Sequence, residues 1–134
     1  MSAPRTMSLW FGRIAASATV LALIVIVLGA YVRLTDAGLG CPDWPGCYGQ
    51  LVAPTDPSDV AAAEQAYPDA PVDSGKAWRE MLHRYLAGTL GLLILALAAI
   101  AWRNRADPQQ QRILPFVTLG VVLLQALLGM WTVT

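Results

Sequence analysis

The sequence predicts an all-α fold: a polytopic membrane helix bundle with three transmembrane helices and one long extracytoplasmic loop. Three observations carry this. The chain is 56% hydrophobic and only 13% charged, with a mean hydropathy of +0.51, a balance typical of membrane proteins. Three apolar runs, at about 14–32, 81–102 and 113–133, each approach the roughly 20 residues that crossing a bilayer requires. The charges sum to zero but are sorted by segment.

The first run follows Arg5 and Arg13. Its apolar stretch is longer than the core of a secretory signal, and Gly29-Ala30-Tyr31 makes a poor cleavage site, so a retained anchor is expected. The second and third runs flank a short link carrying Arg103, Arg105 and Arg112. The loop at about 33–79 is acidic, with Asp36, Asp43, Asp56, Asp59, Glu64, Asp69 and Asp73 against Arg33, Lys76 and Arg79. Lys and Arg near span ends mark the cytoplasmic side. The N-terminus and the short link are therefore expected in the cytoplasm, and the long loop and C-terminus outside. Aromatic rings favour the interfaces, which places Trp10, Phe11 and Trp102 inside and Tyr31, Trp78, Tyr85 and Trp131 outside. No basic patch or stripe suggests nucleic acid.

The long loop contains six prolines, Pro42, Pro45, Pro54, Pro57, Pro68 and Pro71. Proline fixes φ and lacks a donor, so long regular elements are excluded through most of it. One short helix is expected at 60–67, capped by Ser58, with Asp59 in its first turn and Pro68 ending it. Ser74 is expected to cap the second span's helix. Cys41 and Cys47, the only cysteines, flank Pro42-Asp43-Trp44-Pro45-Gly46. The outer compartment favours a disulfide, and a Pro45-Gly46 turn can close the loop. A structural staple, a redox pair and free thiols all remain open from the residues alone.

The second span carries the most informative pair. Glu80 and His83, the only histidine, are three residues apart and share a helix face near the outer interface. Ionisable groups there are costly and mark a functional site. That face continues through Ala87, Leu90, Gly91 and Ile94; its small residues allow close helix packing or room for a flat macrocycle. Gln125 in the third span suits an interhelical hydrogen bond, and Gly129, Thr132 and Thr134 approach the depth of His83. A single imidazole cannot build a closed zinc site but can ligate haem iron; the alternative is a hydrogen bond between helices.

These residues stand in three segments with a family resemblance. Gly-Ala-Tyr-Val-Arg-Leu-Thr-Asp-Ala-Gly-Leu-Gly-Cys-Pro-Asp-Trp-Pro-Gly-Cys-Tyr-Gly-Gln at 29–50 resembles the first helix exit and outer loop of bacterial haem A synthases. Trp-Arg-Glu-Met-Leu-His-Arg-Tyr-Leu-Ala-Gly at 78–88 resembles their second helix, and 119–134 their third. The resemblance implies a multi-pass protein of the bacterial plasma membrane, built from two related four-helix bundles. It implies oxidation of a methyl group of haem O to the formyl group of haem A. On it His83 matches an axial ligand of haem iron (haem b, or haem O as substrate). Glu80 matches an acidic residue important for catalysis, and Cys41 and Cys47 match paired loop cysteines. The family's fourth helix, with a second histidine, and its second bundle have no counterpart in these residues. The chain therefore reads as the N-terminal part, an incomplete four-helix bundle. Its expected partners are haem O, the lipid bilayer, haem O synthase, and a chain supplying the missing helices. Two rivals stand beside this: a membrane thiol–disulfide oxidoreductase using Cys41 and Cys47, and a non-catalytic haem-binding or structural membrane fragment. The spacing is not Cys-x-x-Cys and only one pair exists, which counts against the first.

Overall fold

The computed structural model describes residues 3–108 and 110–133. Thr134 lies outside them, and of Arg5 only the backbone is described. Four helices follow in order: α1 (Ala3–Leu34), α2 (Pro57–Ala66), α3 (Ser74–Arg103) and α4 (Ile113–Trp131). No strand occurs among the described residues.

Three helices are long and apolar enough to cross a membrane, over Leu9–Leu34, Ser74–Arg103 and Ile113–Trp131. They run alternately up, down and up, with α3 packed against both α1 and α4. Small side chains make close approach possible: Ala18 on α1, and Ala98 and Ala101 on α3, are buried. Most large apolar side chains point outward, among them Leu23, Ile26, Val27, Leu92 and Leu123. In water such a surface would drive aggregation; in lipid it is the solvent-facing surface. Trp10, Trp102 and Phe116 gather at the far end of the bundle from the long loop. There Arg13 lies over the Trp10 ring and Arg105 over Trp102, while Phe116 meets Trp102 edge to face at 6.2 Å.

The loop between α1 and α3 is a small folded cap. Cys41, Cys47, Tyr48, Ala53 and Ala63 bury themselves with Ala77 and Met81 of α3. Burying a side chain such as Met81, 2% exposed, contributes about 1.5–3 kcal/mol. Tyr67 of this cluster stacks edge-on against Tyr48 at 5.6 Å. The Tyr48 hydroxyl donates to Pro71 O at 3.2 Å; burial, then the Asp43 carboxylate, pushes its pKa up and keeps the phenol neutral.

Two caps differ from the sequence expectation. Asp56, not Ser58, precedes α2, because Pro57 takes the first helical position, where its fixed φ and missing N–H fit. Asp73, not Ser74, caps α3: its carboxylate accepts the Lys76 N–H at 2.9 Å, a charge-assisted bond that a serine hydroxyl would not match. Tyr67 follows α2 and Pro68 prevents its continuation, as expected.

Candidate functional site

The loop docks onto α3 through one carboxylate and one guanidinium. Glu80 is 5% exposed. Its Oε2 accepts the Cys41 N–H at 2.9 Å and its Oε1 accepts from Arg84 Nη2 at 2.5 Å. Arg84 Nη1 donates to Asp43 O at 2.8 Å and to Gly46 O at 2.5 Å. One fork thus joins Glu80 to two carbonyls of the segment between the cysteines. Gly40 makes the approach possible: a Cβ there would stand 2.7 Å from the Ala77 nitrogen and the Lys76 carbonyl carbon. At the next residue of α3 after Arg84, the Tyr85 hydroxyl donates to Leu51 O.

Cys41 and Cys47 form a disulfide, with Cα atoms 4.8 Å apart. Beyond it Cys47 and Gln50 pair reciprocally, at 2.9 and 3.1 Å. Tyr48 and Gly49 between them have φ of 54° and 73°, the left-handed pair of a tight hairpin turn. The Asp43 carboxylate holds both their N–H groups, at 2.6 and 2.8 Å. Both sulfurs are buried, Cys41 at 1% and Cys47 at 0% exposure, which denies the access that thiol exchange needs. The geometry is that of a staple. Replacing both cysteines with serine should lower stability by about 2–3 kcal/mol, given the short loop closed. Thermal unfolding with and without reductant checks this, and the unreduced native protein should resist thiol labelling.

His83 faces elsewhere. Its imidazole lies against Gly29 of α1, where a Cβ would come 2.9 Å from Cε1, 3.4 Å from Nε2 and 3.5 Å from Nδ1. Nδ1 is buried and finds no hydrogen-bond partner among the described residues. The alternative reading, a hydrogen bond between helices, is not made by this nitrogen. Glu80 and His83 share a helix but not a contact: the carboxylate is committed to the loop and the ring to α1.

The remaining expectations divide. Gly91 faces α4, with Val122 Cγ1 3.9 Å from where its Cβ would be, so helix packing accounts for it. Gln125 is exposed, and no hydrogen bond from it to α1 or α3 occurs among the described residues. Sequence reasoning missed Arg84, Asp43 and the role of Gly29. A crevice of about 270 Å³ between α1, α3 and α4, lined by Ala18, Ile94 and Leu114 among others, lies toward the other end and touches neither Glu80 nor His83.

Which group suits His83 follows from the donor set. No cluster of three or more His, Cys, Asp or Glu occurs among the described residues, so a bare ion lacks the ligands it requires. Haem iron needs only axial donors beyond its macrocycle. An imidazole without a competing partner, beside a helix surface kept flat by a glycine, fits that need.

A multi-span helical membrane protein, carrying a histidine and a loop-clamping Glu–Arg pair at one end of its central helix, is the class this geometry defines. The family model described as cytochrome oxidase assembly protein, COX15-CtaA, matches residues 12–134. The chain is 48% identical over 115 residues to a heme A synthase of Shewanella oneidensis, covering 86% of this chain and 34% of that protein. It is 31% identical over 121 residues to one of Lysinibacillus sphaericus (90% and 33%) and 34% identical over 111 residues to one of an Exiguobacterium species (80% and 30%). No solved structure matches. The chain belongs to the COX15-CtaA family, that of the haem A synthases. It spans about a third of the length of the curated relatives it matches.

Proposed function

We propose that this chain serves haem A biosynthesis, as the part of a haem A synthase in which His83 holds a haem and Glu80 handles protons beside it. The observation that carries the reading is the His83 ring, laid on Gly29 with a buried nitrogen that nothing else engages. Family membership supports the reaction class: oxidation of a haem O methyl group to a formyl group.

A bound haem would supply the iron centre. The chain's own residues would do the rest. Neutral His83 would donate a lone pair. Glu80, one turn toward the loop, would accept protons released by methyl oxidation or pass them toward water. The disulfide hairpin would keep Glu80 in place through Cys41 N–H and Arg84. The assembly would sit in the bacterial plasma membrane, with the disulfide on the extracytoplasmic side where oxidation is favoured. Haem O synthase and further helices of the same bundle are the expected partners.

The test supplies haem O to membranes holding the protein with the remainder of its assembly, and follows haem A by chromatography. Haem A should accumulate, and the purified protein should show the absorption of an imidazole-ligated haem. Protein that purifies free of haem and yields no haem A overturns the reading.

A further inference from the structure

Residues 44–55, Trp-Pro-Gly-Cys-Tyr-Gly-Gln-Leu-Val-Ala-Pro-Thr, contain no charge, inside a loop that is otherwise acidic on both flanks. Asp36 and Asp43 precede the segment; Asp56, Asp59, Glu64, Asp69 and Asp73 follow it. Composition alone would permit a buried turn, and part of it is buried: Cys47, Tyr48, Ala53 and Pro54. The rest is not. Leu51 is 80% exposed, Val52 52% and Trp44 45%.

The height of this segment along α3 decides what those side chains meet. α3 carries no charge between Tyr85 and Trp102, and Arg103 closes its other end. A hydrocarbon core about 30 Å thick takes roughly 20 helical residues at about 1.5 Å each. Counted back from Arg103, the core ends near His83 and Arg84, and Tyr85 sits at the boundary. Two side chains tie the loop to that level. Arg84 holds the carbonyls of Asp43 and Gly46, on either side of Trp44-Pro45. Tyr85 holds the carbonyl of Leu51. The segment thus lies beside α3 at the depth of the headgroups, level with the lipid-facing side chains of the same helix. Its backbone is prepared for that zone: the Tyr48 and Gly49 N–H groups are taken by Asp43, and Cys47 and Gln50 pair with each other. Unpaired backbone groups are what such depth penalises.

We propose that this turn seats on the bilayer, with Trp44, Leu51 and Val52 in the headgroup zone of the leaflet on the loop side. Tryptophan and branched aliphatic side chains are the residues that anchor there. The loop is then tethered three ways: to α3 by Arg84 and Tyr85, to itself by the disulfide, and to lipid by its exposed face. This holds whether or not the protein carries haem.

The experiment places a nitroxide at Leu51→Cys or, separately, Val52→Cys, with Ala61→Cys on exposed α2 as reference, in protein reconstituted into liposomes. Both new side chains point outward, and the native disulfide is too buried to react with the label. Relaxation by oxygen, which partitions into lipid, is compared with relaxation by a water-soluble nickel chelate. The oxygen-to-nickel ratio should be several-fold higher at 51 and 52 than at 61. An equal ratio at the three positions would put the turn in water and overturn the proposal. Exclusion of both probes at 51 and 52 would show protein, not lipid, covering the turn, and would overturn it equally.

Discussion

If His83 holds a haem as proposed, replacing it with alanine should strip the chain of that haem and of the absorption band of its imidazole-ligated iron. His83 is the chain's only histidine, and no alternative ligand cluster exists among the described residues. Gly29→Val should act on the same quantity more gently. Its Cβ alone would press to 2.9 Å from the ring's Cε1, and the branch adds further bulk. The ring must turn or α1 must withdraw, either of which tilts the nitrogen lone pair away from its direction. Groups that orient a metal-binding histidine are worth about 10–100-fold in affinity, and Gly29→Val should weaken haem retention by that order. Haem titration followed by absorption spectroscopy measures both variants. An unchanged spectrum and haem content in His83→Ala would remove His83 from the site.

The contrast between those two residues shows what linear sequence can carry. His83 was legible because a lone imidazole three residues from a carboxylate, at the edge of an apolar run, is expensive wherever it lies in lipid. Gly29 was not, because a glycine in a membrane helix has an ordinary explanation in packing. Its role exists only through space, once α1 and α3 lie side by side. Arg84 failed to signal for a related reason. A cation next to a membrane edge reads as an interfacial charge. Its work as a fork depends on the loop folding back, which Gly40 permits and the disulfide stabilises. The three spans were legible from composition, while the cap positions of the loop helix α2 and of α3 went to Asp56 and Asp73 rather than to the neighbouring serines. Gln125 was expected to bond between helices; in α4 it is exposed.

Arg84→Ala should destabilise the protein by about 3–5 kcal/mol, because it strands a buried carboxylate. Glu80 would keep only backbone N–H groups of the loop, at Gly40 and Cys41, and the Asp43 and Gly46 carbonyls would lose their donor. Thermal unfolding in detergent measures the loss, with Trp44 fluorescence reporting release of the loop. Glu80→Gln disturbs the same clamp less. Its amide oxygen can still accept from Cys41, although the amide then opposes Arg84 with one acceptor fewer; a cost of about 1–3 kcal/mol is expected. The two variants together separate structure from chemistry at Glu80. If the carboxylate handles protons, Glu80→Gln should keep most of its haem and stability yet lose about 10²–10⁴-fold in the rate of haem O oxidation, the usual weight of general acid–base catalysis. Arg84→Ala, with the carboxylate intact, should then lose rate only as far as it loses fold. If Glu80 serves the clamp alone, both rates will follow stability, and the less stable Arg84→Ala will be the slower enzyme. The order of the two rates therefore decides the role of Glu80, whose two oxygens the folded chain already commits to holding its loop.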